Sequence, residues 1–318
     1  GSVTEVAGME LRLGLTRATA WVLLAFVAGI GLASLWDRRT VFTTAEIPWK
    51  GAMVTFIDVG LGDAVLIQAG DEAVLVGAGD LWAGPRVVAE LQRSGVESLS
   101  LVVCNGGDSG QLGGMEAVFR EFPVSLVLGT HPTSHDEAYR QFMRALEDRG
   151  VIYRKVSVGD SFRFGNAAKL RFLAPIEDPL GQEVSAGGLA VLFEVGTVRF
   201  LFLYGLDVDG EEQLVRLNPD LDVDVLKVPK HGHKDATGSL LLESFMPETA
   251  IITVGIYNEL LLPSVEVLNR LERQGISVYR TDKHGTIRVI TDGIRYEVIV
   301  DKKERAWGGT VLADTVDQ

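Results

Sequence analysis

The residue types best suited to chemistry stand in one short run of the C-terminal half, where His231, His233 and Asp235 form the pattern H-x-H-x-D. Imidazole and carboxylate groups are ligands for zinc or manganese, and they also act as general bases. A catalytic zinc site normally combines three protein ligands with an open position, and ligands from a single loop rarely close such a site. The run therefore predicts an exposed polar loop, with a residual metal site as the alternative.

Other polar residues of the chain fit structural roles. His131 and His135 lie in T-H-P-T-S-H-D, a turn-like stretch that predicts solvated histidines. Asp58 and Asp63 flank V-G-L-G, and this pattern predicts that both hold a turn through side-chain to backbone hydrogen bonds. The stretch T-D-K-H-G at residues 281–285 predicts another turn. The sequence contains no G-x-S-x-G motif, no P-loop and no pair of cysteines.

The elements that must position these residues follow from the hydrophobic pattern between residues 51 and 303. Apolar runs such as 189–195 and 198–203 predict strands, and helical spacing at 136–149 and 264–274 predicts amphipathic helices. Both halves of this region are rich in strands with helices interspersed. The pattern predicts an α/β fold in which two sheets pack together with helices outside them, a sandwich of four layers.

Four motifs, in order along the chain, are similar to those of one known family. They are V-T-F-I-D-V-G-L-G-D-A-V-L-I-Q (54–68), L-K-V-P-K-H-G-H-K (226–234), L-P-S-V-E-V-L-N-R-L (262–271) and Y-R-T-D-K-H-G-T-I-R-V (279–289). Together they resemble the metallo-β-lactamase-like domain of ComEC-type competence proteins. The resemblance implies an αββα four-layer metallo-β-lactamase-like sandwich. It also implies that active relatives are metal-dependent phosphodiesterases or nucleases, whose metal polarises a phosphoryl group and supplies hydroxide.

The resemblance further implies which positions would carry metal ligands, and most of them hold other residues. Asp108 and His231 match ligand positions of the family. The degenerate ligand positions are Gly77, Gly106, Gly110, Gln111, Gly205, Lys230 and Leu262. A shifted alignment would place Asp207 at the position of Gly205, so the residual metal candidates are Asp108, Asp207, His231 and His233. We therefore expect no catalytic residue, no metal and no other cofactor, as in a pseudoenzyme of the metallo-β-lactamase superfamily.

The net charge of the chain argues against nucleic acid as a partner. The chain has 318 residues and a formal net charge of −13 at pH 7. An acidic surface repels the phosphate backbone, whose attraction supplies most non-specific nucleic-acid binding. Free DNA or RNA is therefore not an expected partner.

The one cysteine, Cys104, lies in the apolar run L-S-L-V-V-C and is predicted to be a small buried residue.

An uncharged apolar stretch of the N-terminal region, residues 18–36, predicts a single membrane-spanning helix. Roughly 20 apolar residues cross the hydrocarbon core, and Trp21 and Trp36 stand where interface aromatics are expected. A cleavable signal peptide and a buried core helix are the alternatives. The predicted order is an N-terminal tail 1–17, a transmembrane helix 18–36, a linker 37–50, a metallo-β-lactamase-like domain 51–303 and a C-terminal tail 304–318. The flanking charges do not fix the orientation, and the resemblance favours a bacterial inner membrane with the domain outside the cytoplasm.

These observations favour a non-catalytic, membrane-anchored protein that acts as an accessory or scaffold subunit of a membrane protein complex. The expected partners are the membrane and integral membrane proteins of that complex, contacted through the helix and the sandwich surface. One alternative is a metal-dependent hydrolase or phosphodiesterase with altered ligands. The other alternative is a DNA-uptake component.

Overall fold

The computed structural model describes residues 51–301, except for 107, 131–136, 166 and 176–187. The predicted N-terminal tail, transmembrane helix, linker and C-terminal tail lie outside the described residues, as do His131 and His135. Within the described ranges, no helix is long and apolar enough to cross a membrane.

The described strands form two sheets. Their bounds are β1 Ala52–Phe56, β2 Val65–Ala69, β3 Glu72–Val76, β4 Leu101–Cys104, β5 Val127–Gly129, β6 Tyr153–Lys155, β7 Ser161–Phe164, β8 Ala168–Ala174, β9 Leu189–Val195, β10 Val198–Tyr204, β11 Val225–Lys227, β12 Thr249–Ile252, β13 Ser277–Arg280, β14 Ile287–Thr291 and β15 Tyr296–Val300. One sheet has the order β15-β14-β1-β2-β3-β4-β5-β6 and the other the order β13-β12-β11-β10-β9-β8-β7.

The helices of the described part are short and lie between the strands along the chain. Their bounds are α1 Gly84–Arg93, α2 Ser109–Leu112, α3 Met115–Glu121, α4 Glu137–Arg149, α5 Val208–Leu217, α6 Ser239–Phe245, α7 Val265–Arg273 and α8 Thr281–His284. A 3₁₀ turn also spans Pro229–Gly232.

The alternation of apolar side chains along the strands produces three separate cores. On β10, Phe200 and Phe202 join a cluster built from both sheets, while Leu201 and Leu203 face the opposite way into a cluster with α5, α6 and α7. A third cluster joins the first sheet to α1, α3 and α4. Because successive strand side chains point to opposite faces, apolar runs such as β10 are buried on both sides. The result is the predicted four-layer order of helices, sheet, sheet and helices.

Parallel strands place several loops at one edge of the sandwich. The strands β10, β11, β12 and β13 pair in parallel, as do β3, β4, β5 and β6. The carboxyl ends of parallel strands share one edge of a sheet, where α/β proteins place their binding residues. The loops after β4, β10, β11 and β12 therefore open together, and the candidate site lies among them.

The structure corrects several predicted elements. The pattern of residues 113–121 predicts a helix; that helix is α3 and begins at Met115, and a separate short helix, α2, precedes it at Ser109–Leu112. The turn predicted at residues 281–285 contains a short helix, Thr281–His284. The strands β6 and β7 have no counterpart in the prediction; β6 has three residues with mainly exposed side chains, and β7 has only four residues. Cys104 is buried as predicted.

A buried ion pair joins α1 to the first sheet. Glu90 on α1 accepts a hydrogen bond from the guanidinium of Arg288 on β14, and both side chains are almost fully buried. Arg288 also donates to Asp301 at 2.5 Å, and Glu90 accepts from Arg93 at 2.7 Å. Helix α1 is therefore tied to the sheet by charge as well as by packing.

We predict that Glu90→Gln lowers the free energy of unfolding by about 2 kcal/mol, because a hydrogen bond between charged groups is replaced by a weaker one. Glu121→Gln is the matched control, since Glu121 forms an exposed pair with Arg120, and such pairs contribute about 0–1 kcal/mol. Chemical denaturation of the full chain measures both changes. Equal effects of the two substitutions would contradict the role given to the buried pair.

Candidate functional site

Beneath the loops at this edge of the sandwich, a buried lysine is paired with a buried aspartate. Lys227 closes β11, and its Nζ lies 2.8 Å from Oδ1 of Asp63, which follows the turn after β1. Thr253, just after β12, donates its hydroxyl to the same Oδ1 at 2.5 Å. Lys227 Nζ also donates to the carbonyl of Leu203 at 3.3 Å and lies 4.1 Å from the centre of the Tyr204 ring. The pair therefore connects the first sheet to the second beneath the loops.

Electrostatics keeps the Asp63 carboxyl ionised. Burial by itself would raise the pKa of Asp63, but the Lys227 ammonium, aided by His231 and by the Thr253 hydroxyl, holds that pKa below its ordinary value. Burial lowers the pKa of Lys227, and the Asp63 carboxylate opposes that shift. A buried charge is tolerated only when it is paired and hydrogen-bonded. Asp63 and Lys227 each pair and hydrogen-bond with the other.

Asp108 is held by a second polar network. As N-cap of α2 it accepts the backbone N–H of Gly110 on Oδ1, and its Oδ2 accepts from Nε2 of Gln111 at 3.2 Å. Gln111 in turn accepts the backbone N–H of Asn105. Burial, with the nearby charge of Asp63, raises the pKa of Asp108. Both oxygens of this carboxyl are thus already engaged by the protein.

The 3₁₀ turn after β11 has an uncommon backbone conformation. Lys230, His231 and Gly232 all have positive φ, at 48°, 55° and 81°. Non-glycine residues in this region are strained, and such strain concentrates at binding sites and turns. His231 donates from Nδ1 to the carbonyl of Thr253 at 2.7 Å. This hydrogen bond fixes the ring and leaves Nε2 as its other nitrogen.

These loops enclose a cleft of about 370 Å³. Its polar lining consists of Asp63, Asp108, Lys230, His231, His233 and Asp235. Its remaining lining consists of Gly205, Leu260 and Leu262. The sequence-predicted positions Asp108, Gly205, Lys230, His231, His233 and Leu262 are therefore brought together in one place. The volume falls within the range of small-molecule sites, about 300–1,000 Å³.

The family resemblance implies divalent metal ions, and the donor set in the cleft does not fit them. Metal ligation needs carboxylate and imidazole lone pairs directed at the ion, and a buried ammonium such as that of Lys227, 2.8 Å from Asp63 Oδ1, repels a divalent cation there. Both oxygens of Asp108 accept hydrogen bonds, and Oδ1 of Asp63 accepts from Lys227 and Thr253. Across the described ranges, no group of three or more His, Cys, Asp or Glu side chains is arranged to hold a metal ion.

Two of the degenerate ligand positions, Gly77 and Gly205, have a positive φ, which glycine adopts without strain. Gly77 has φ of 70°, and a Cβ there would stand 2.3 Å from the carbonyl oxygen of Asp63. Gly205 has φ of 67°. A side chain at Gly77 would collide with backbone, so an aspartate cannot be restored there without moving the loop of Asp63. Gly106 lies on the loop after β4, where its N–H donates to the Thr130 hydroxyl.

The aspartates named from the sequence take different roles. Asp207 is not among the cleft residues; it is the N-cap of α5, where its side chain accepts the backbone N–H of Gly210. Asp58 accepts the N–H of Gly60 at 3.4 Å, as the predicted turn requires. The same prediction for Asp63 is wrong, because its carboxylate turns into the floor and pairs with Lys227. The residues His231–Asp235 form a half-exposed rim rather than a fully exposed loop.

Sequence reasoning also missed Lys227, Thr253 and Tyr204. The signal for Lys227 was present, because a lysine inside the apolar strand V-L-K-V is almost never buried without a partner. Tyr204 is fully buried, and its hydroxyl has no hydrogen-bond partner among the described groups. No local pattern points to Thr253, because its role depends on Asp63, which is 190 positions away in the chain.

A buried glutamate holds the loop that carries the cleft rim. Glu211 on α5 accepts the backbone N–H groups of Thr237 and Gly238 at 2.6 and 2.7 Å. Those residues end the loop that contains His233 and Asp235. Burial raises the pKa of Glu211 to about 7, although the two backbone hydrogen bonds favour the ionised form.

Three curated proteins are similar in sequence to this chain. ComE operon protein 3 of Bacillus subtilis is 27% identical over 254 residues, which cover 74% of this chain and 32% of that protein. Competence protein ComA of Neisseria gonorrhoeae is 26% identical over 289 residues, covering 89% and 39%. Recombination protein 2 of Haemophilus influenzae is 25% identical over 244 residues, covering 74% and 28%. The predicted resemblance to ComEC-type competence proteins is confirmed. The ComEC-like chain spans about a third of the length of these relatives.

Solved structures similar to the ComEC-like chain have the metallo-β-lactamase fold. The metallo-β-lactamase fold protein YhfI from Bacillus subtilis has a TM-score of 0.50 at 11% identity, covering 75% of this chain and 99% of that chain. A mutant of the CmlA β-hydroxylase has a TM-score of 0.52 at 10% identity, covering 76% and 54%. These likenesses show the fold. No family model matches the chain.

We predict that Lys227→Met lowers the free energy of unfolding at pH 7 by about 3–5 kcal/mol, because Asp63 is left as a buried unpaired charge. The loss is expected to shrink towards pH 4, where the unpaired carboxyl becomes protonated. Lys234→Met is the control, since Lys234 is an exposed lysine of the neighbouring loop. Urea titrations of both variants across this pH range measure the effect, and a loss that is independent of pH would contradict the assignment.

We predict that Glu211 makes stability fall as the pH rises. Its folded pKa is about 7, above the ordinary value of 4.5, so the folded state binds more protons than the unfolded state between those values. The stabilisation is complete below about pH 4.5 and is lost as the pH rises through 7. In Glu211→Gln this part of the pH dependence disappears, although one backbone hydrogen bond is lost at every pH. Parallel unfolding curves at pH 5 and pH 8 measure the difference, and an unchanged slope with pH would contradict it.

Proposed function

We propose that this chain is a ComEC-like, metallo-β-lactamase-fold module that performs no metal-dependent hydrolysis and acts as a membrane-anchored accessory or scaffold subunit of a protein complex. In this proposal, the chain shares its fold with competence proteins but lacks the hydrolytic chemistry that other proteins of this fold perform. Function resides in the side chains of a site and not in the fold that carries it.

One observation carries the proposal: Asp63, at the base of the cleft, is already paired with the buried ammonium of Lys227. Lys227 and Thr253 occupy Oδ1 of Asp63, and Asp108 is bonded through both oxygens. A metal ion would have to displace these partners and would then face the Lys227 ammonium. The repulsion between a buried ammonium and a divalent cation in a poorly screened site opposes that exchange.

The accessory role is supported by the surface and by the N-terminal sequence. Several large apolar side chains are exposed at the loop edge; these are Leu81, Trp82, Ile256, Tyr257, Leu260 and Leu261. Clusters of exposed apolar side chains mark interaction sites in soluble domains. The apolar stretch of residues 18–36 supports a membrane anchor.

Metal content and activity test the proposal together. The full chain, extracted in mild detergent, is incubated with zinc or manganese, freed of unbound metal and assayed on bis(p-nitrophenyl) phosphate. We predict far less than one metal ion per chain and no activity above that of Asp108→Ala. Stoichiometric metal, with hydrolysis abolished by Asp108→Ala and His231→Ala, would establish the altered hydrolase instead.

The scaffold role has its own test. Native electrophoresis of gently solubilised membranes from the source organism reports the size of the assembly that contains the chain. We predict that the chain migrates in a complex much larger than itself. Migration as a free subunit would contradict the scaffold role and leave the absence of hydrolysis unaffected.

A part in DNA uptake is the second candidate function, and the names of the relatives favour it. One is named a competence protein, one is named ComE operon protein 3, and the third is named a recombination protein. The net charge of −13 opposes it. Binding of single-stranded and double-stranded DNA at low salt tests this candidate, and binding that weakens as salt is added would support it.

A further inference from the structure

Lys230 is a cation of the cleft that the described residues leave without a partner. Its side chain lines the cleft and is half-buried, and it has neither a hydrogen bond nor an ion pair within the described ranges. It stands at positive φ, so the backbone holds it in a strained conformation next to His231. His231 has committed Nδ1 to Thr253, which leaves Nε2 as the other hydrogen-bonding atom of that ring.

The carboxylates that line the cleft do not neutralise Lys230. Asp63 is paired with Lys227, and Asp108 is bonded to Gly110 and Gln111. Asp235 is exposed at the rim, where water and salt screen its charge. None of these carboxylates forms an ion pair with Lys230 within the described ranges, so the Lys230 ammonium is available to a bound anion.

One wall of the same cleft is apolar and braced. Leu260 and Leu262 line it, and Tyr257 and Leu261 extend it outward with side chains that are 98% and 84% exposed. Asn258 fixes this segment by donating from Nδ2 to the carbonyls of Gly255 and Leu262 and by accepting the N–H of Leu262 at 2.6 Å. A wall held in place in this way binds apolar groups with less loss of conformational entropy.

We propose that the cleft binds a small amphiphilic anion, with a carboxylate or phosphate head on Lys230 and His231 and an apolar chain along Leu260 and Leu262. The inference rests on the proposed function, because it requires a cleft that binds without metal. The position at which the family resemblance expects a ligand histidine holds Leu262, so the change that removes a metal ligand also builds the apolar wall. The head gains a charge-assisted hydrogen bond, and the chain removes leucine surface from water.

Calorimetric titration of the full chain in detergent with EDTA present tests the proposal. The probes are hexanoate and hexyl phosphate, compared with hexanol, which lacks the charge, and acetate, which lacks the chain. Micelle partitioning is the same for every protein variant and is subtracted with a protein-free blank. We predict that at least one of the two amphiphilic anions binds about tenfold or more tightly than hexanol and acetate. The tighter of the two identifies the head group.

Variants assign that binding to the cleft. Lys230→Gln is expected to weaken hexanoate or hexyl phosphate about tenfold or more, since it removes a charged hydrogen bond. Leu260→Ser is expected to weaken the amphiphiles and to leave acetate unchanged, and Leu260 is exposed enough for the fold to persist. Lys234→Gln is the matched control, because Lys234 lines a different cavity. Equal binding by wild type and Lys230→Gln would overturn the proposal.

Different outcomes would overturn the metal-free cleft and the anion site. Anion binding that requires added zinc and is abolished by EDTA would overturn both the metal-free cleft and this inference. Absence of binding in a protein that also holds no metal would overturn this inference alone. Binding that is unchanged by EDTA and weakened by Lys230→Gln supports both.

Discussion

The contact between Lys227 and Asp63 constrains the rest of the loop edge. Asp63 lies in the loop between β1 and β2 of the first sheet and Lys227 ends β11 of the second, so their 2.8 Å ion pair joins this loop to the second sheet where the loops open. The backbone of Asp63 is equally committed, since its N–H donates to Gly110 and its carbonyl accepts from Gly79. A shift of this one residue would move the loops after β1, β3 and β4 together. Burying two charges is costly, and the fold retains them only because each satisfies the other.

This constraint accounts for the chemistry of the cleft. With Asp63 committed to Lys227, the carboxylate closest to the floor is neutralised without an external cation. Gly77 gains its close approach to the Asp63 carbonyl from the same arrangement, and that approach excludes a side chain at the position. Lys230 lines the cleft and has no ion pair within the described part, and it lies at the wall and not at the floor. Lys227 thus opposes a metal ion at Asp63, while the Lys230 ammonium is available to an anion.

Much of the fold could be predicted from the sequence. Strands such as β9 and β10 are long apolar runs, and α4 and α7 have clear helical spacing, so their positions followed from periodicity. Strand β6 has no apolar alternation of its own and depends on pairing with β5. Strand β7 does alternate polar and aromatic residues, but over four residues that pattern is too short to predict a strand by itself. The spaced motifs supplied the order of layers, which agrees with the two sheets and three cores of the described residues.

The site was predicted in position but not in its interactions. Asp108, Gly205, Lys230, His231 and Leu262 were singled out by comparison with family motifs, and they meet in one cleft. The partnership of Asp63, Lys227 and Thr253 joins residues up to 190 positions apart, and local patterns carry no information about such pairs. The transmembrane helix predicted at residues 18–36 remains a prediction, since those residues lie outside the described part of the structure.

The central claim is that Lys227 and Asp63 act as one unit, and a double-mutant cycle tests it most directly. The free energies of unfolding of Lys227→Met, Asp63→Leu and the double variant are compared with that of the wild type at pH 7. The account predicts that the double variant is more stable than the sum of the single effects implies, with a coupling energy of about 2–3 kcal/mol. Additive effects, with a coupling energy near zero, would contradict the claim that this ion pair supports the cleft.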